Sequence, residues 1–492
     1  MNDQQRIDRL LAALEARLGP LLAKTRWSDT ARFCSLSLRL PVADPSDLPD
    51  LQGTPAGLDE AFLFSARPAQ GYWRLGLGRV REWRAGGAAR FSELRRFFHE
   101  LRGQWQIRTA DAGLPAAAVF AGFAFDEIPA GGPWQSWPNT LLHLPQVLLQ
   151  QQDGLLSLQL SASAAALRSP GGQARQIHEW LRLCRRALVS LCADSFRAAP
   201  ETEAPRIRQR RAQPEEAAWL QRIEQARKAI HAGRLGKVVP ARHLHLRMSR
   251  PPRADRLLPQ LAQRFPGCTQ LGIGLAGGGT LLAATPERLV SLRDGRIECD
   301  ALGGTLPRPR QHAAGAPDGL LQSPRLRREH ALVVDQMLRV LQPLCRDLRA
   351  PRIPRVMRLR QLQHLWTPIT GRVRPGVDLL QLAAGLHPTP AVAGTPVAGA
   401  LDWLRQREGF ARGWYTGAAG WLDCNGEGEL SVILRCALLQ GEAVHLYAGA
   451  GIVADSEPLA ELAETDLKLA SLLDVLLQEG DDGLSLPPRA AG

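Results

Sequence analysis

The residues most informative about chemistry are lysines, because the sequence almost avoids them. Of 61 basic residues only four are lysine, Lys24, Lys228, Lys237 and Lys468, and the others are arginine. An arginine guanidinium is effectively never deprotonated, whereas a buried lysine amine can lose its proton near neutral pH. Lys237, between a glycine and a β-branched pair, is therefore a candidate proton acceptor. Chance survival within a compositional bias is the alternative.

Acidic residues indicate a second candidate site, on two predicted helices. Glu461, Glu464 and Lys468 are spaced i, i+3 and i+7, so they share one helical face. Glu329 is the one acid in the first two turns of another, arginine-rich helix. Carboxylate oxygens suit Mg²⁺, so the pattern predicts a magnesium site with ligands from both helices. A solvated face with a Glu464–Lys468 pair, and a favourable helix dipole at Glu329, are the structural alternatives.

Glu287 and two glycine-rich turns complete the candidates. Glu287 follows a predicted strand and a proline in ATPERL, a place where exposed glutamates are also common. The segments ALGGT (301–305) and YAGAGIV (447–453) predict turns whose backbone amides can approach an anion closely. Each of these signals is weak when taken alone.

The helices that must position these residues have recognisable ends. Pro214 and Gly233 flank a predicted helix, Ser323 caps a second, and the last begins after Ser456. An amphipathic N-terminal helix is predicted by the spacing of Ile7, Leu10, Leu11, Leu14, Leu18 and Leu21.

Predicted strands lie between these helices. A β-branched start and alternation predict a strand over 237–248, which Pro240 confines to an edge or a bulge. The segment 279–302 predicts two strands around an Asp-Gly turn at 294–295. Neighbouring antiparallel strands with interspersed helices predict an α+β fold.

The composition of the chain indicates which classes of partner it can bind and in which cellular compartment it works. The net charge of +13 favours anionic partners, either small metabolites or, as the alternative of another class, nucleic acid. The densest arginine clusters, 206–211 and 351–360, lie in no nucleic-acid-binding motif, so we expect no nucleic-acid partner. We also expect no membrane partner and a reduced, cytoplasmic protein. No segment approaches about 20 apolar residues, no secretory signal is found at the N-terminus, and the eight cysteines are scattered.

A polar stretch rich in proline and arginine divides the chain. Residues 197–216 predict a linker. The domains predicted around it are an N-terminal α/β region, 1–205, and a catalytic region, 214–478, on which it packs.

Together and in this order, the motifs of the C-terminal half resemble the chorismate-utilising enzymes. That family includes isochorismate synthase, salicylate synthase, anthranilate synthase component I and aminodeoxychorismate synthase component I. The N-terminal half matches more loosely, through GYWRLGLG and VFAGFAFD. The fold implied is the α+β fold of anthranilate synthase component I, two packed antiparallel sheets surrounded by helices. The matching segments, over about 214–475, are GKVVPAR, ATPERLV, ALGGT, EHALVVDQM, LQHLWTPITG, LHPTPAVAGTP, EGFARGWYTGAAGWLD, GELSVILRC and YAGAGIVADSEPLAELAETDLKL.

The isochorismate synthase branch resembles the sequence best. Ala391 stands in LHPTPAV where amine-forming relatives and salicylate synthases have threonine. The resemblance then implies a magnesium-dependent interconversion of chorismate and isochorismate, for menaquinone or for siderophore and salicylate biosynthesis. Salicylate formation and amination are the alternatives within the family. Amination needs a glutamine amidotransferase, and no such segment is fused here, so no obligate subunit of that kind is expected. Monomer and homodimer both stay open.

The resemblance also assigns roles to matching positions. Lys237 matches the general base that activates water to attack C2 of chorismate, and Glu287 the general acid that protonates the departing C4 hydroxyl. Glu329 and Glu464 match magnesium ligands, with Glu461 beside them, acting directly or through water. Tyr415 and Arg435 match the residues that hold the enolpyruvyl carboxylate, and Lys468 a lysine near the ring carboxylate. The substrate-binding positions implied are Gly304, Thr305, His364, Ala391, Tyr415, Arg435, Gly449, Gly451 and Lys468.

Overall fold

The computed structural model describes residues 3–41, 61–67, 71–191, 205–308 and 319–477. The helices are α1 (Asp3–Lys24), α2 (Arg90–Gln104), α3 (Ala164–Leu167), α4 (Pro170–Leu191), α5 (Glu216–His231), α6 (Ala254–Arg264), α7 (Gly319–Gln322), α8 (Pro324–Leu341), α9 (Leu379–Leu386), α10 (Val397–Arg407) and α11 (Pro458–Leu477). The strands are β1 (Phe33–Arg39), β2 (Ala61–Arg67), β3 (Tyr72–Leu77), β4 (Arg81–Ala85), β5 (Trp105–Thr109), β6 (Ala118–Phe123), β7 (Thr140–Leu144), β8 (Val147–Gln152), β9 (Leu155–Ser163), β10 (Ile207–Gln213), β11 (Lys237–Val238), β12 (Ala241–Met248), β13 (Thr269–Leu275), β14 (Gly279–Thr285), β15 (Arg288–Arg293), β16 (Arg296–Pro307), β17 (Cys345–Arg349), β18 (Arg355–Arg358), β19 (Leu362–Val373), β20 (Gly394–Thr395), β21 (Ala418–Asp423), β22 (Gly428–Val432), β23 (Cys436–Gln440) and β24 (Ala443–Gly449).

Two large sheets form the centre of the described chain. The first has twelve strands in the order β10-β12-β24-β23-β14-β13-β2-β3-β8-β9-β1-β5. The second has ten, β17-β19-β16-β15-β22-β21-β6-β7-β4 with β18 also paired to β19, and β11 with β20 forms a separate short pair. Among the described pairings, β1 with β5 is parallel and the others are antiparallel. The predicted α+β fold with two antiparallel sheets is confirmed, apart from this one parallel pair.

Apolar side chains separate into layers that fix this arrangement. One cluster takes residues from both sheets and fills the space between them, with Phe64, Phe120, Trp134 and Trp414 among its largest members. A second joins the outer face of the twelve-stranded sheet to α1, α4, α6 and α11. A third joins the outer face of the ten-stranded sheet to α2, α8, α9 and α10. The sheets therefore meet inside and the helices lie outside.

Helix ends follow the local signals of the sequence. Helix α5 ends at His231, and Gly233 beyond it has the positive φ, 71°, that suits glycine after a helix. The Ser323 side chain accepts a hydrogen bond from the Leu326 amide, and Pro324 occupies the first position of α8.

None of the helices just described combines the length with the apolar character needed to cross a membrane. The predicted N-terminal helix is confirmed as α1, which buries Ile7, Leu10, Leu11, Leu14, Leu18 and Leu22.

Two strand predictions are wrong in extent, because a proline interrupts each. The segment 237–248 forms β11 and β12 on either side of Pro240. Within 279–302, Pro286 separates β14 from β15, which gives three strands rather than two, and these two strands lie in different sheets. Proline has no amide hydrogen for a ladder, so the chain changes direction there. The turn at 294–295 joins β15 to β16 as predicted, with φ of 50° and 68°.

The predicted linker 197–216 is wrong where Ile207–Gln213 forms β10, an edge strand of the twelve-stranded sheet. Exposed arginines along a sheet edge hinder pairing with other chains, so polar composition is as typical of such an edge as of a linker. Residues 192–204 lie outside the described part of the chain. The boundary between 1–205 and 214–478 stays a prediction. Both sheets take strands from either side of it, since β2 pairs with β13 and β6 with β21.

Candidate active site

One cavity, where both sheets meet α8 and α11, gathers the predicted site residues. It encloses about 810 Å³, counting the part open to solvent, and Glu461 is the one predicted site residue that does not line it. The predicted residues that do are Lys237, Glu287, Gly304, Thr305, Glu329, His364, Ala391, Tyr415, Arg435, Gly449, Gly451, Glu464 and Lys468. The lining residues that sequence reasoning missed are Val239, Pro286, Leu302, Gly303, Val392, Thr416, Leu434, Tyr447 and Ala448.

Lys237 is almost fully buried in this wall. It lies on the short strand β11, opposite Thr395, and is 1% exposed. Its Nζ is 2.9 Å from Oε1 of Glu329 on α8. A Cβ added at Gly451 would lie 2.5 Å from Glu329 Oε1 and 2.9 Å from Lys237 Cε, so only glycine leaves room for the pair. The sequence therefore builds a tight, buried ion pair at the position predicted for the base.

Glu287 lies where the chain passes from one sheet to the other, between β14 and β15. It is 3% exposed, and its Oε1 has no hydrogen-bond partner among the described residues. Burial, helped by the negative charge of Asp300, raises the pKa of Glu287 to about 8. Lys237 and Lys468 act in the opposite direction. The carboxyl is therefore mostly protonated at neutral pH, which is the state that a general acid requires.

A hydrogen-bonded chain of three predicted residues lies on the wall of the cavity. Arg435 Nη2 donates to His364 Nε2 at 3.2 Å, which leaves Nδ1 of that ring to donate to Thr305 Oγ1 at 3.0 Å. Burial, with the positive charges of Arg435 and Lys468, holds the pKa of His364 well below its usual value. The neutral ring can thus accept from the guanidinium and fix its orientation.

Arg435 also has an unusual backbone. Its φ of 47° lies in the left-handed region, which is uncommon for a residue with a Cβ and is found at functional sites more often than elsewhere. The guanidinium lies over the Phe265 ring, 5.6 Å from its centroid, and Nη1 is 3.7 Å from Cys268 Sγ. Packing on these sides leaves the cavity as the direction in which the fork can meet a carboxylate.

Tyr415 stands at the end of a column of stacked rings. Its ring stacks on Tyr447 with centroids 5.1 Å apart, and Tyr447 stacks on His243 at 4.7 Å. His243 Nε2 lies 3.0 Å from His445 Nδ1, and His445 stacks on His245 at 4.8 Å. The antiparallel pair β12–β24 places His243 opposite Tyr447 and His245 opposite His445. The alternation of rings in HLHL and HLYA is a signal that could have identified Tyr447 as part of the site wall.

Lys468 makes the second lysine–glutamate pair of the cavity. Its Nζ donates to Glu464 Oε1 at 2.6 Å, one helical turn away, and to the Gly449 carbonyl at 2.9 Å. This pair is partly exposed, whereas Lys237 with Glu329 is buried. Gly449 is confined on its other side, since a Cβ there would lie 3.2 Å from Tyr415 Oη.

Glu461 lies behind the cavity wall. Its Oε1 accepts a hydrogen bond from Arg325 at 3.1 Å. Burial, with the negative charges of Glu464 and Glu329, raises the pKa of Glu461 to about 8. The three glutamates thus repel one another, and a cation among them would relieve that repulsion.

These glutamates fit magnesium as a partial set of ligands. No three His, Cys, Asp or Glu side chains in the described ranges converge as a complete metal site would. Glu329 and Glu464 are the two carboxylates of the three that reach the cavity. Mg²⁺ is usually bound through one or two carboxylates, with substrate oxygens and waters as the other ligands. The chemistry of the donor set therefore suits this ion.

Comparison with known proteins agrees with the fold and the cavity. Residues 21–477 match the family described as chorismate binding enzyme. A salicylate biosynthesis isochorismate synthase of Pseudomonas aeruginosa is 34% identical over 420 residues, which cover 80% of this chain and 82% of that protein. The structure of MenF, the menaquinone-specific isochorismate synthase from Escherichia coli, superposes with a TM-score of 0.73 at 26% identity, covering 94% of this chain and 100% of that chain.

A more distant structure shares the fold. Anthranilate synthase component I from Streptococcus pneumoniae superposes with a TM-score of 0.63 at 19% identity, covering 91% of this chain and 93% of that chain. The predicted likeness to the component I fold is confirmed. With a family match over most of its length, this chain belongs to the chorismate-binding enzymes.

Proposed function

We propose that the protein is a magnesium-dependent isochorismate synthase that interconverts chorismate and isochorismate. The observation that carries this proposal is the presence in one cavity of a buried lysine, Lys237, and a buried glutamate, Glu287, whose pKa burial raises to about 8. Around them lie side chains that can bind the two carboxylates of the substrate. The names of two relatives, isochorismate synthases from Pseudomonas aeruginosa and Escherichia coli, support the same reaction.

The reaction needs a base and an acid at separate points of the ring. Water gives a proton to neutral Lys237 Nζ while its oxygen bonds to C2. The ring double bonds shift, and the C4 hydroxyl departs with the proton of Glu287. One water enters and one leaves, so the product is an isomer of the substrate. A charged ammonium has no lone pair, so Lys237 acts as a base only once Glu329 is engaged elsewhere.

The substrate carboxylates determine how the ring lies. Arg435, oriented by His364, offers a planar fork to one of them, and the Tyr415 hydroxyl lies on the same cavity wall. The other carboxylate lies toward Lys468 and the glutamates of α8 and α11. There Glu329 and Glu464 would hold Mg²⁺, whose charge, when it is bound, offsets the repulsion between a dianion and these acids.

The small residue at position 391 favours hydroxyl exchange over the family's other reactions. Ala391 lies on the cavity wall beside Val392 and brings no hydroxyl there. The resemblance gives threonine at this place in salicylate synthases and amine-forming relatives. Water as the nucleophile is therefore the best-supported choice.

The test is incubation of the purified protein with chorismate and Mg²⁺, followed by chromatographic separation of the products. We expect isochorismate, formed only with the divalent ion. Salicylate as the initial product, or an amine only when ammonia is added, would replace this proposal by another reaction of the family. Lack of any chorismate turnover, together with DNA binding that vanishes at modest salt, would support the nucleic-acid alternative.

A further inference from the structure

The segment that carries Glu287 is fastened by side chains at both of its amides. The Glu287 N–H donates to Thr285 Oγ1 at 3.2 Å, and the next amide, of Arg288, donates to Asp300 Oδ2 at 3.2 Å. The Glu287 carbonyl accepts from the Val432 amide at 3.0 Å. The crossover between the two sheets is therefore held to β16 through one carboxylate, that of Asp300.

The Asp300 carboxylate accepts no hydrogen bond from a positively charged side chain within the described ranges. Asp300 is 8% exposed, and the hydrogen-bond donors to its carboxylate within the described ranges are neutral: the Arg288 amide and Trp366 Nε1, which is 2.8 Å from Oδ1. The Arg288 guanidinium lies instead at Glu298, 2.5 Å, and at Glu429, 3.4 Å. One arginine is thus shared among several carboxylates, and the buried charge of Asp300 acts on its surroundings.

The charged groups that act on Glu287 come from three elements. Asp300 of β16 favours the protonated carboxyl, and Lys237 of β11 and Lys468 of α11 favour the ionised one. Each lysine has a glutamate within 2.9 Å that partly cancels its field. The negative charge of Asp300, which two hydrogen bonds hold in place, therefore opposes two cations whose fields are partly cancelled.

We propose that Asp300 is a positioning residue for the acid step, which holds the Glu287 segment in place through the Arg288 amide and brings a negative charge to that segment. This inference rests on the proposed function, in which Glu287 protonates the leaving hydroxyl. Asp300 itself does not line the cavity and touches no reacting atom.

The decisive experiment is the pH dependence of turnover in Asp300→Asn. The substitution keeps the shape and one acceptor but removes the charge, so Glu287 should ionise at a lower pH. We expect the alkaline limb of the kcat/KM profile, which reports the free enzyme and lies near pH 8 in the wild type, to move down by roughly one pH unit or more. For a shift of one unit, kcat/KM should fall about fivefold at pH 8 and about tenfold well above it, and should recover on acidification.

Two matched variants separate charge from structure. Trp366→Phe removes one hydrogen bond of Asp300 and keeps the charge, so its alkaline limb should stay in place. Glu298→Gln removes a charge on the same strand, two residues away and 61% exposed in its side chain, and should leave the profile unchanged. If Asp300→Asn does not fold, Asp300→Ser removes the same charge with a smaller side chain.

A spectroscopic readout separates this inference from the proposed function. The infrared band of the protonated Glu287 carboxyl, assigned by its absence in Glu287→Gln, can be titrated without substrate. A lower titration midpoint in Asp300→Asn supports the inference even if the enzyme makes another product. An unmoved midpoint, or a loss of kcat/KM that acidification does not restore, would overturn it.

Discussion

The glutamates that line the cavity lie in two regions, and the charges and hydrogen-bond partners around the carboxylate differ between them. On α8 and α11, Glu329 and Glu464 each have a lysine ammonium within 2.9 Å. At the crossover between the sheets, Glu287 has an unpartnered oxygen and a carboxylate among the charges that act on it. Glu329 and Glu464 reach the cavity with an ammonium beside each, whereas burial raises the pKa of Glu287 so that its carboxyl keeps its proton at neutral pH. In the proposed mechanism, the surroundings thus divide one residue type into two metal ligands and a proton donor.

The largest expected effect on activity comes from removing the charge of a glutamate on α8 or α11. Glu329→Gln or Glu464→Gln replaces a carboxylate ligand by a neutral amide, so we expect turnover at millimolar Mg²⁺ to be lost while the fold is kept. Activity as a function of Mg²⁺, with circular dichroism for the fold, measures this. Glu224→Gln on α5, away from the cavity lining, is the matched control and should behave as wild type. Full activity of either site variant at limiting Mg²⁺ would remove that residue from the metal site.

Lys237→Arg tests the proposed base, which is paired with Glu329 of α8. Arginine keeps the charge and most of the volume but cannot become a neutral base. Turnover at saturating chorismate and Mg²⁺ should fall by roughly 10²–10⁴-fold, nearly as far as in Lys237→Ala. Lys228→Arg, an exposed lysine on α5, is the control. Activity of Lys237→Arg within about tenfold of wild type would mean that a permanent cation suffices there, and the base would have to be sought elsewhere.

The crossover side has a pH signature in both rate and stability. Because the Glu287 pKa is about 8, the wild-type rate should fall about tenfold per unit as the pH rises above that value. In the unfolded chain this carboxyl ionises near 4.5, so the folded state binds the extra proton between about 4.5 and 8. Its contribution to stability is therefore lost as the pH rises through this window.

Glu287→Gln separates these two effects. The variant should lose activity and should also lose this part of the pH dependence of the free energy of unfolding, measured by denaturant titration across the window. The same decline in stability in Glu287→Gln as in the wild type would show that another group binds the proton.

Arg435→Lys has the smallest expected effect, because it changes substrate binding and leaves both regions intact. The lysine keeps the charge but loses the two-pronged donor geometry and the hydrogen bond to His364. We expect the KM for chorismate to rise about tenfold, which corresponds to about 1.4 kcal/mol. Arg339→Lys on the exposed face of α8 is the control. An unchanged KM together with an unchanged kcat would place the carboxylate elsewhere.

Much of this site could be predicted because chemical identity is visible in sequence. Lys237 stands out in a chain of arginines, and the spacing of Glu464 and Lys468 predicts the pair that the helix forms. The protonation state of a site residue, and the neighbour toward which its side chain points, could not be predicted in this way. Whether Glu461 faces the cavity or Arg325 depends on packing between α8 and α11, and the state of Glu287 depends on burial and on Asp300, which lies on another strand.

The fold shows the same division between local and distant information. Caps and periodicity predict α1, α5 and α8 closely, because these signals act within a few residues. A proline marks where a strand stops, but the sheet that the chain joins afterwards is set by distant partners. For this reason the change of sheets at Pro286, which places Glu287 in the cavity, was not predicted.

The scarcity of lysine gives the protein an inherent selectivity toward amine-reactive reagents. Lys24 and Lys228 are exposed on helices, and Lys237 and Lys468, the other two lysines of the chain, line the cavity. The lysines that an acylating reagent modifies therefore lie either at two surface positions or in the cavity, and peptide mass analysis distinguishes the two from each other and from the α-amino group. A ligand bound in the cavity should protect Lys237 and Lys468 from the reagent and leave Lys24 and Lys228 reactive. The extent of acylation at these four side chains would then measure how much of the cavity is occupied, without any label attached to the protein beforehand.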